Sequence, residues 1–530
     1  MRNFHLAGRS PVHGAHGMAA TSNPLSTMTA IRVLQDGGNA MDAAVAACAV
    51  QCVVEPGSTG IGGDCFMLMS RGGGGDIIAF NGSGRAPAAA SVDWYLERGI
   101  AAIERYTPHS VTVPGAIDAW TQLLADHGTR GLDILLQPAI ALARDGYPVH
   151  SRCAADWAAG VETLSHNPNA ARVMLPGGKP PGVGTLHRQP ALADTMTLIA
   201  KQGRDAFYTG RVAADIVGHL QALGGLHTVE DFASAKGEYV TPVKTRYRGY
   251  DIYECPPNGQ GIIALEMLNI LSGFDFTGLD PLSAERLHLQ TEAARLAYRD
   301  RDDGLADPAK VPVPAQWMLS DARAAELRAL IATDRAMAPP APGVVPAHAD
   351  TVYICVVDRD RNAVSFINSL FTGFGSGIMS PETGIMLQNR GNGFVIEPGH
   401  PNCIAPGKRP LHTIIPGMVV RDGRATMPFG VMGGQYQAVG HAHLLGNLFD
   451  FGLDIQEAID LPRVFAPPGE ALEVEDGVPG AAIQGLESLG HVVKPAGHPI
   501  GGSQAIVIDW DTGVLTGGSD PRKDGCALGC

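Results

Sequence analysis

The chain is poor in aromatic residues and in charge. Phe, Trp and Tyr make up 6% of its 530 residues, and Asp, Glu, Lys and Arg make up 17%. With 45% apolar residues, that composition implies a sizeable buried core. Few aromatics among many alanines point to helices packed closely through small side chains. No run of like charges occurs, although the net charge is −14. The excess acid is therefore a solubility feature, and it argues against nucleic acid as a partner. No apolar stretch approaches the length that spans a bilayer, so no membrane partner is expected. The opening MRNFHLAGRSPVHGAHGMAA lacks a continuous apolar segment. No secretory signal is expected from it, and a cytoplasmic location is the default. The glycine-dense loop GSTGIGGD lacks the lysine of a phosphate-binding loop, which argues against a nucleotide site.

The nine cysteines are odd in number and scattered, and several lie in apolar runs such as AVAACAVQCVVEP. They read as buried free thiols in a reducing compartment. Cys48 and Cys52 share a helix face but have no histidine nearby. His400, His412 and His441 form no tight cluster, so neither a metal nor a cofactor is expected.

What the chain has in abundance is glycine and proline, 67 and 38 residues. They predict many tight turns and glycine-lined backbone. Two internal helices are predicted, one after Asn23-Pro24 to Gly37-Gly38 and one from Asn39 to before Pro56. GDCFMLMS reads as a buried strand, and 115–145 and 189–235 read as helical. TPVKTRYRGYDIYECPP is a strand pair, and PLSAERLHLQTEAARLAYRDRD is a long amphipathic helix. Residues 335–349, RAMAPPAPGVVPAHA, read as an exposed polyproline-like linker. Beyond it come short strands (TVYICVV, AVSFINS, GIMLQNR, HTIIPGMVV), one helix after Gly433-Gly434, and a closing hairpin.

Thr351 opens the first of those strands, directly after the linker and Asp350. It is either an ordinary β-branched strand residue or the first residue of a cut chain. In the second case a free α-amino group, of pKa about 7.7–8.0, lies beside a hydroxyl. One residue then supplies both nucleophile and base. Gly433-Gly434 before a helix would offer bare amides to an oxyanion, or mark only a tight turn.

Several separated motifs favour the cut chain. TVYICVVDRDRNAVSF, FGSGIMSPETGIMLQNR, APGKRPLHTIIPGMVV, GVMGGQ, LPRVF and SDPRKDG resemble the small subunit of the γ-glutamyltransferase family. PLSTMTAIRVLQDGGNAMDAAVA, EPGSTGIGGD, TVPGAIDAW and PPNGQGIIALEMLNIL resemble its large subunit. The resemblance covers nearly the whole chain in order. It implies an α+β fold, the four-layer αββα sandwich of the N-terminal nucleophile hydrolases. It also implies self-cleavage between Asp350 and Thr351, giving a helix-rich large subunit 1–350 and a strand-rich small subunit 351–530. The two would form one domain and an αβ heterodimer. Gly433 and Gly434 would be the oxyanion pair. Ser369 would take the place of a second hydroxyl that hydrogen-bonds the nucleophile.

The sequence departs from the family at the amino-acid pocket. Phe371 stands for an asparagine, Arg390 for a glutamine, and Gly393 for the aspartate that pairs with the substrate ammonium. His412-Thr413 replaces a serine pair, and the clamping arginine is absent near Ser83, with Arg85 two residues on. An ammonium without its counter-charge keeps its desolvation cost. The pocket therefore suits a short acid amide better than glutathione. This pattern resembles the branch containing oxamate amidohydrolase, which converts oxamate and water to oxalate and ammonia. γ-Glutamyl transfer or glutathione hydrolysis through Arg85 and Arg390 is the alternative, and an uncut, non-catalytic binding protein is the second. Arg85, Arg390 and His412 read equally well as structural residues.

Overall fold

The computed structural model describes residue 5 and residues 8–338, 351–469 and 471–530. Asp350 and most of the linker lie outside the described residues.

The local signals place the first helices where the sequence predicts them. Asn23 caps Pro24–Gln35, and Asn39 with Asp42 forms a capping box on Ala40–Val54. Every residue of Ala40–Val54 is buried, which its Ala, Val and Cys composition allows on all sides.

Two seven-stranded sheets form the centre. In the first, the order is Cys526–Gly529, Met18–Thr21, Val352–Val357, Ala363–Ser369, Asp64–Ser70, Ile77–Gly82, Glu238–Val240. In the second it is Val12–Gly14, Leu515–Ser519, Gly502–Ile508, Arg424–Met432, Gly417–Arg421, Tyr250–Glu254, Val243–Tyr247. Both sheets draw strands from either side of residue 350.

Alternation along Val352–Val357 shows how the layers stack. Tyr353, Cys355 and Val357 point into a core shared with Met418, Val420, Met432 and Ile506 of the second sheet. Ile354 and Val356 point the other way, into a core with the Ala40–Val54 helix. The second sheet repeats this. Val419, Phe429 and Val431 face the helices Gly261–Leu271, Ala284–Gly304 and Tyr436–Phe449. The architecture is thus helix, sheet, sheet, helix: the αββα sandwich.

Three expectations change. Ala284–Gly304 is not amphipathic against solvent, because residues 286–298 are all buried. GIMLQNR forms no strand and makes only isolated bridges, Met379 with Met386 and Gly62 with Leu387. The start of the linker is docked: the Ala336 N–H donates to Leu489 O, and the Met337 N–H donates to Glu292 Oε2. All nine cysteines are free thiols, seven of them buried. Among the described residues, no helix is long and apolar enough to cross a membrane.

Candidate active site

Register brings the first site residues together. Val352 pairs with Asn368, which sets Thr351 beside Ser369, and Ser369 pairs with Asp64. Thr351 Oγ1 lies 3.1 Å from Ser369 Oγ, and both residues are buried. Ser369 Oγ also accepts the Phe371 N–H at 2.9 Å. Phe371 holds φ +86°, a strained conformation for an aromatic residue. That turn brings its ring under the Arg390 guanidinium, 4.2 Å from Cζ to the ring centre.

Arg390 is fully buried. Its Nη1 donates to Thr413 Oγ1 at 2.9 Å, while Nε and Nη2 have no hydrogen-bond partner among the described residues. Burial pulls its pKa down to about 9, and the Asp64 carboxylate pushes it back up. A buried guanidinium with two idle nitrogens is costly unless something anionic meets it.

Asp64 carries the densest set of bonds. Oδ1 accepts from Gly84 N at 2.9 Å, Gly115 N at 3.2 Å and Gln388 Nε2 at 2.9 Å. Oδ2 accepts from His412 Nε2 at 3.0 Å. Burial, then Arg390, lower the His412 pKa to about 3, so the ring is neutral.

The glycine pair ends the strand Arg424–Met432. Gly433 and Gly434 hold φ +131° and +59°, and a Cβ on Gly433 would lie 2.8 Å from Gly501 Cα. Only glycine fits there. Among the described residues neither amide N–H has a hydrogen-bond acceptor. Gln260 ties this turn to Thr413, because its Nε2 donates to Thr413 O at 3.0 Å and to Gly434 O at 3.2 Å. A continuous set of contacts therefore runs from Thr351 through Ser369, Phe371, Arg390 and Thr413 to Gly434.

Arg85 stands apart from that set. It is one-third exposed and pairs with Glu238 and Asp307, both at 3.5 Å, beside Arg409. Three residues of the cluster escape sequence reading: Asp64, Gln260 and Gln388. The one signal for Asp64 was a lone acid opening an otherwise apolar strand.

A second titratable group, His288, Glu292 and His491, is buried and compact enough to hold an ion. Its donor atoms are committed to protons instead. His288 Nε2 donates to Ala332 O at 2.7 Å, leaving Nδ1 to accept the His491 Nε2 proton at 2.8 Å. Glu292 accepts from Arg295 and from the Met337 N–H, both at 2.8 Å. The group works as a hydrogen-bond network that docks residues 332–337.

Comparison with known proteins agrees with this geometry. The gamma-glutamyltranspeptidase family model matches residues 26–530. The glutathione hydrolase-like YwrD proenzyme of Bacillus subtilis (strain 168) is 38% identical, over 98% of this chain and 99% of its own. The oxamate amidohydrolase proenzyme of Klebsiella pneumoniae is 34% identical, over 97% of this chain and 98% of its own. The crystal structure of cephalosporin acylase from Bacillus halodurans superposes with a TM-score of 0.94 at 38% identity, covering 100% of this chain and 98% of that one. The chain belongs to the gamma-glutamyltranspeptidase family and has the fold of the N-terminal nucleophile hydrolases.

Proposed function

We propose that this protein is a self-cleaving amidohydrolase whose nucleophile is the freed N-terminal Thr351, acting on small amides whose acyl group bears a carboxylate. Oxamate is the named candidate. The cut between Asp350 and Thr351 leaves fragments 1–350 and 351–530 as an αβ heterodimer, and the proenzyme names of the relatives support it.

The observation that carries the substrate class is the Arg390 side edge. Nε–H and Nη2–H point the same way from a guanidinium, spaced to meet both oxygens of one carboxylate. In Arg390 those are the two nitrogens left without hydrogen-bond partners among the described residues. The α-amino group of Thr351 takes the hydroxyl proton, and Oγ1 attacks the amide carbon. The Gly433 and Gly434 amides receive the oxyanion, and Ser369 steadies Oγ1. The protonated amine returns its proton to the leaving nitrogen, so ammonia departs from oxamate. Water then attacks the ester, with the amine again as base, and oxalate leaves.

The alternative is glutathione hydrolysis or γ-glutamyl transfer, which the glutathione hydrolase-like relative supports. The Arg390 edge would then hold the α-carboxylate. The ammonium is the difficulty, since the Asp64 oxygens already accept four hydrogen bonds.

Ammonia release from oxamate, set against glutamate release from glutathione, decides between the two. Arg390→Met should lower kcat/KM for oxamate by about 10- to 150-fold, the scale of a charge-assisted hydrogen bond of ~1.5–3 kcal/mol. Much faster turnover of glutathione by the wild type would sink the substrate assignment. Thr351→Ala should remain a single band on a denaturing gel and be inactive. A wild type that also stays one full-length band would favour an uncut binding protein.

A further inference from the structure

Asp64 takes no part in the reaction scheme above, yet no side chain in the site is held more firmly. It is fully buried and directly opposite Ser369 across the sheet. A carboxylate only accepts, so the His412 proton in this contact is on Nε2. His412 Nδ1 then accepts the Ile414 N–H at 3.4 Å. The His412 backbone is fixed on both sides, its N–H donating to Asn258 O at 2.9 Å and its O accepting from Gln260 N at 2.8 Å. The next residue, Thr413, is the one that holds Arg390 Nη1.

We propose that Asp64 is the positioning and specificity-determining residue of the acyl-carboxylate site. It grips the neutral His412 ring, fixes the His412-Thr413 segment, and so sets the Arg390 guanidinium with its Nε–Nη2 edge free for a substrate carboxylate. It also supplies the fixed negative charge beside Arg390. Because its own oxygens are occupied, it gives the pocket no acceptor for a substrate ammonium. The acyl groups selected are those that end in a carboxylate and carry no α-amino group. This inference rests on the amidohydrolase reading of Arg390.

Among the described residues the charge that acts on Arg390 is Asp64, and the neutral His412 ring beside it is faced by Arg390 and Arg409. Removing the Asp64 charge leaves the guanidinium without the group that opposes its desolvation, so it loses its proton at a lower pH. An amide in place of the carboxylate also turns an N–H toward the His412 N–H, and the ring cannot adapt by moving its proton to Nδ1, which faces the Ile414 N–H.

The test uses full chains confirmed to cleave: Asp64→Asn, His412→Gln, His412→Leu and Arg390→Met. For each, kcat and KM for oxamate, inhibition by oxalate, and the pH profile of kcat/KM are measured. Asp64→Asn should raise KM and the oxalate inhibition constant tenfold or more, with a smaller change in kcat. It should also move the alkaline limb of kcat/KM to lower pH. His412→Leu should repeat the KM effect. His412→Gln keeps an N–H for Asp64 and should recover most of the loss. If Asp64→Asn does not fold or cleave, the two His412 variants decide. The inference is overturned if Asp64→Asn keeps the wild-type KM and alkaline limb, or if His412→Gln is no better than His412→Leu. When Arg390→Met raises KM but the Asp64 and His412 variants do not, this inference alone falls. When Arg390→Met leaves KM unchanged, the functional reading falls with it.

Discussion

Ser369 Oγ accepts the Phe371 N–H, which in the proposed reaction leaves its own proton for Thr351 Oγ1 once the Thr351 hydroxyl proton has gone to the amine. A hydroxyl placed this way stabilises negative charge on the attacking oxygen without competing as a base. It also pins the strained Phe371 turn that carries the Arg390 stack. Ser369→Ala therefore removes a donor to the nucleophile and an acceptor from Phe371. We expect kcat to fall about 10- to 100-fold, of the order of one or two hydrogen bonds, with the variant still folded. Steady-state rates for oxamate after complete cleavage check this, and an unchanged kcat would remove Ser369 from the reaction. At this scale Thr351, Ser369 and the glycine pair were singled out by the family motifs, and the structure sets Thr351 Oγ1 and Ser369 Oγ 3.1 Å apart. Asp64 was not legible as part of the site. Its four donors come from residues 84, 115, 388 and 412, which no sequence window brings together.

The helix Ala284–Gly304 shows the same limit for an element. Its charged residues predicted a solvent face, but long-range partners absorb them. Arg286 donates to Asn447 at 3.0 Å, Arg295 donates to Met337 O at 3.1 Å, and Arg301 donates to Gln260 Oε1 at 3.2 Å. The Tyr298 hydroxyl donates to Gln435 O, so this helix braces the turn that follows the glycine pair. GIMLQNR misled for a related reason. Its backbone bonds go to loops, with Gln388 N donating to Gly62 O and Asn389 N to Leu370 O. By contrast, Asn23-Pro24 and Asn39 are local signals that marked their helix starts in the sequence, and the structure adds the capping box of Asn39 with Asp42. The bracing gives Gln260 a measurable role. Gln260→Leu removes both its bonds, to Thr413 O and Gly434 O, and orphans Arg301 Nη1. The Gly433 and Gly434 amides, proposed to receive the oxyanion, would then be less well aimed, so kcat should fall about tenfold or more, by analogy with loss of one oxyanion donor. Autocleavage and kcat measured on the same preparation test this. Full activity would mean that Gly433 and Gly434 hold their places unaided.

Across the whole molecule the two sides of residue 350 are interleaved rather than adjacent. Val352–Val357 lies between Met18–Thr21 and Ala363–Ser369, so a cut before Thr351 separates no layer from another. What threatens this assembly is protonation of groups buried neutral. His227 and His412 are fully buried, with pKa values lowered to about 4 and about 3, first by burial. The unfolded chain binds those protons at about pH 6.5, the folded chain only well below it. Stability from these rings is therefore complete above pH 6.5 and is lost as pH falls, at up to about 1.4 kcal/mol per pH unit for each ring. His187 and His491, lowered to about 4, add in the same direction. Glu55 and Glu266 oppose them, because burial raises their pKa values to about 7 and about 10. Their contribution declines as pH rises above the ordinary carboxylate range, and past pH 7 Glu266 is the larger of the two effects. The four histidines outweigh the two acids below pH 6.5, so stability should peak near neutrality and fall on both sides. Urea midpoints of the cleaved protein from pH 4.5 to 9 should trace that dome. Glu266→Gln should hold the midpoint up on the alkaline side, and His227→Gln should flatten the acid side. A midpoint that rises steadily from pH 6.5 down to 5 would show that the buried histidines do not govern acid stability.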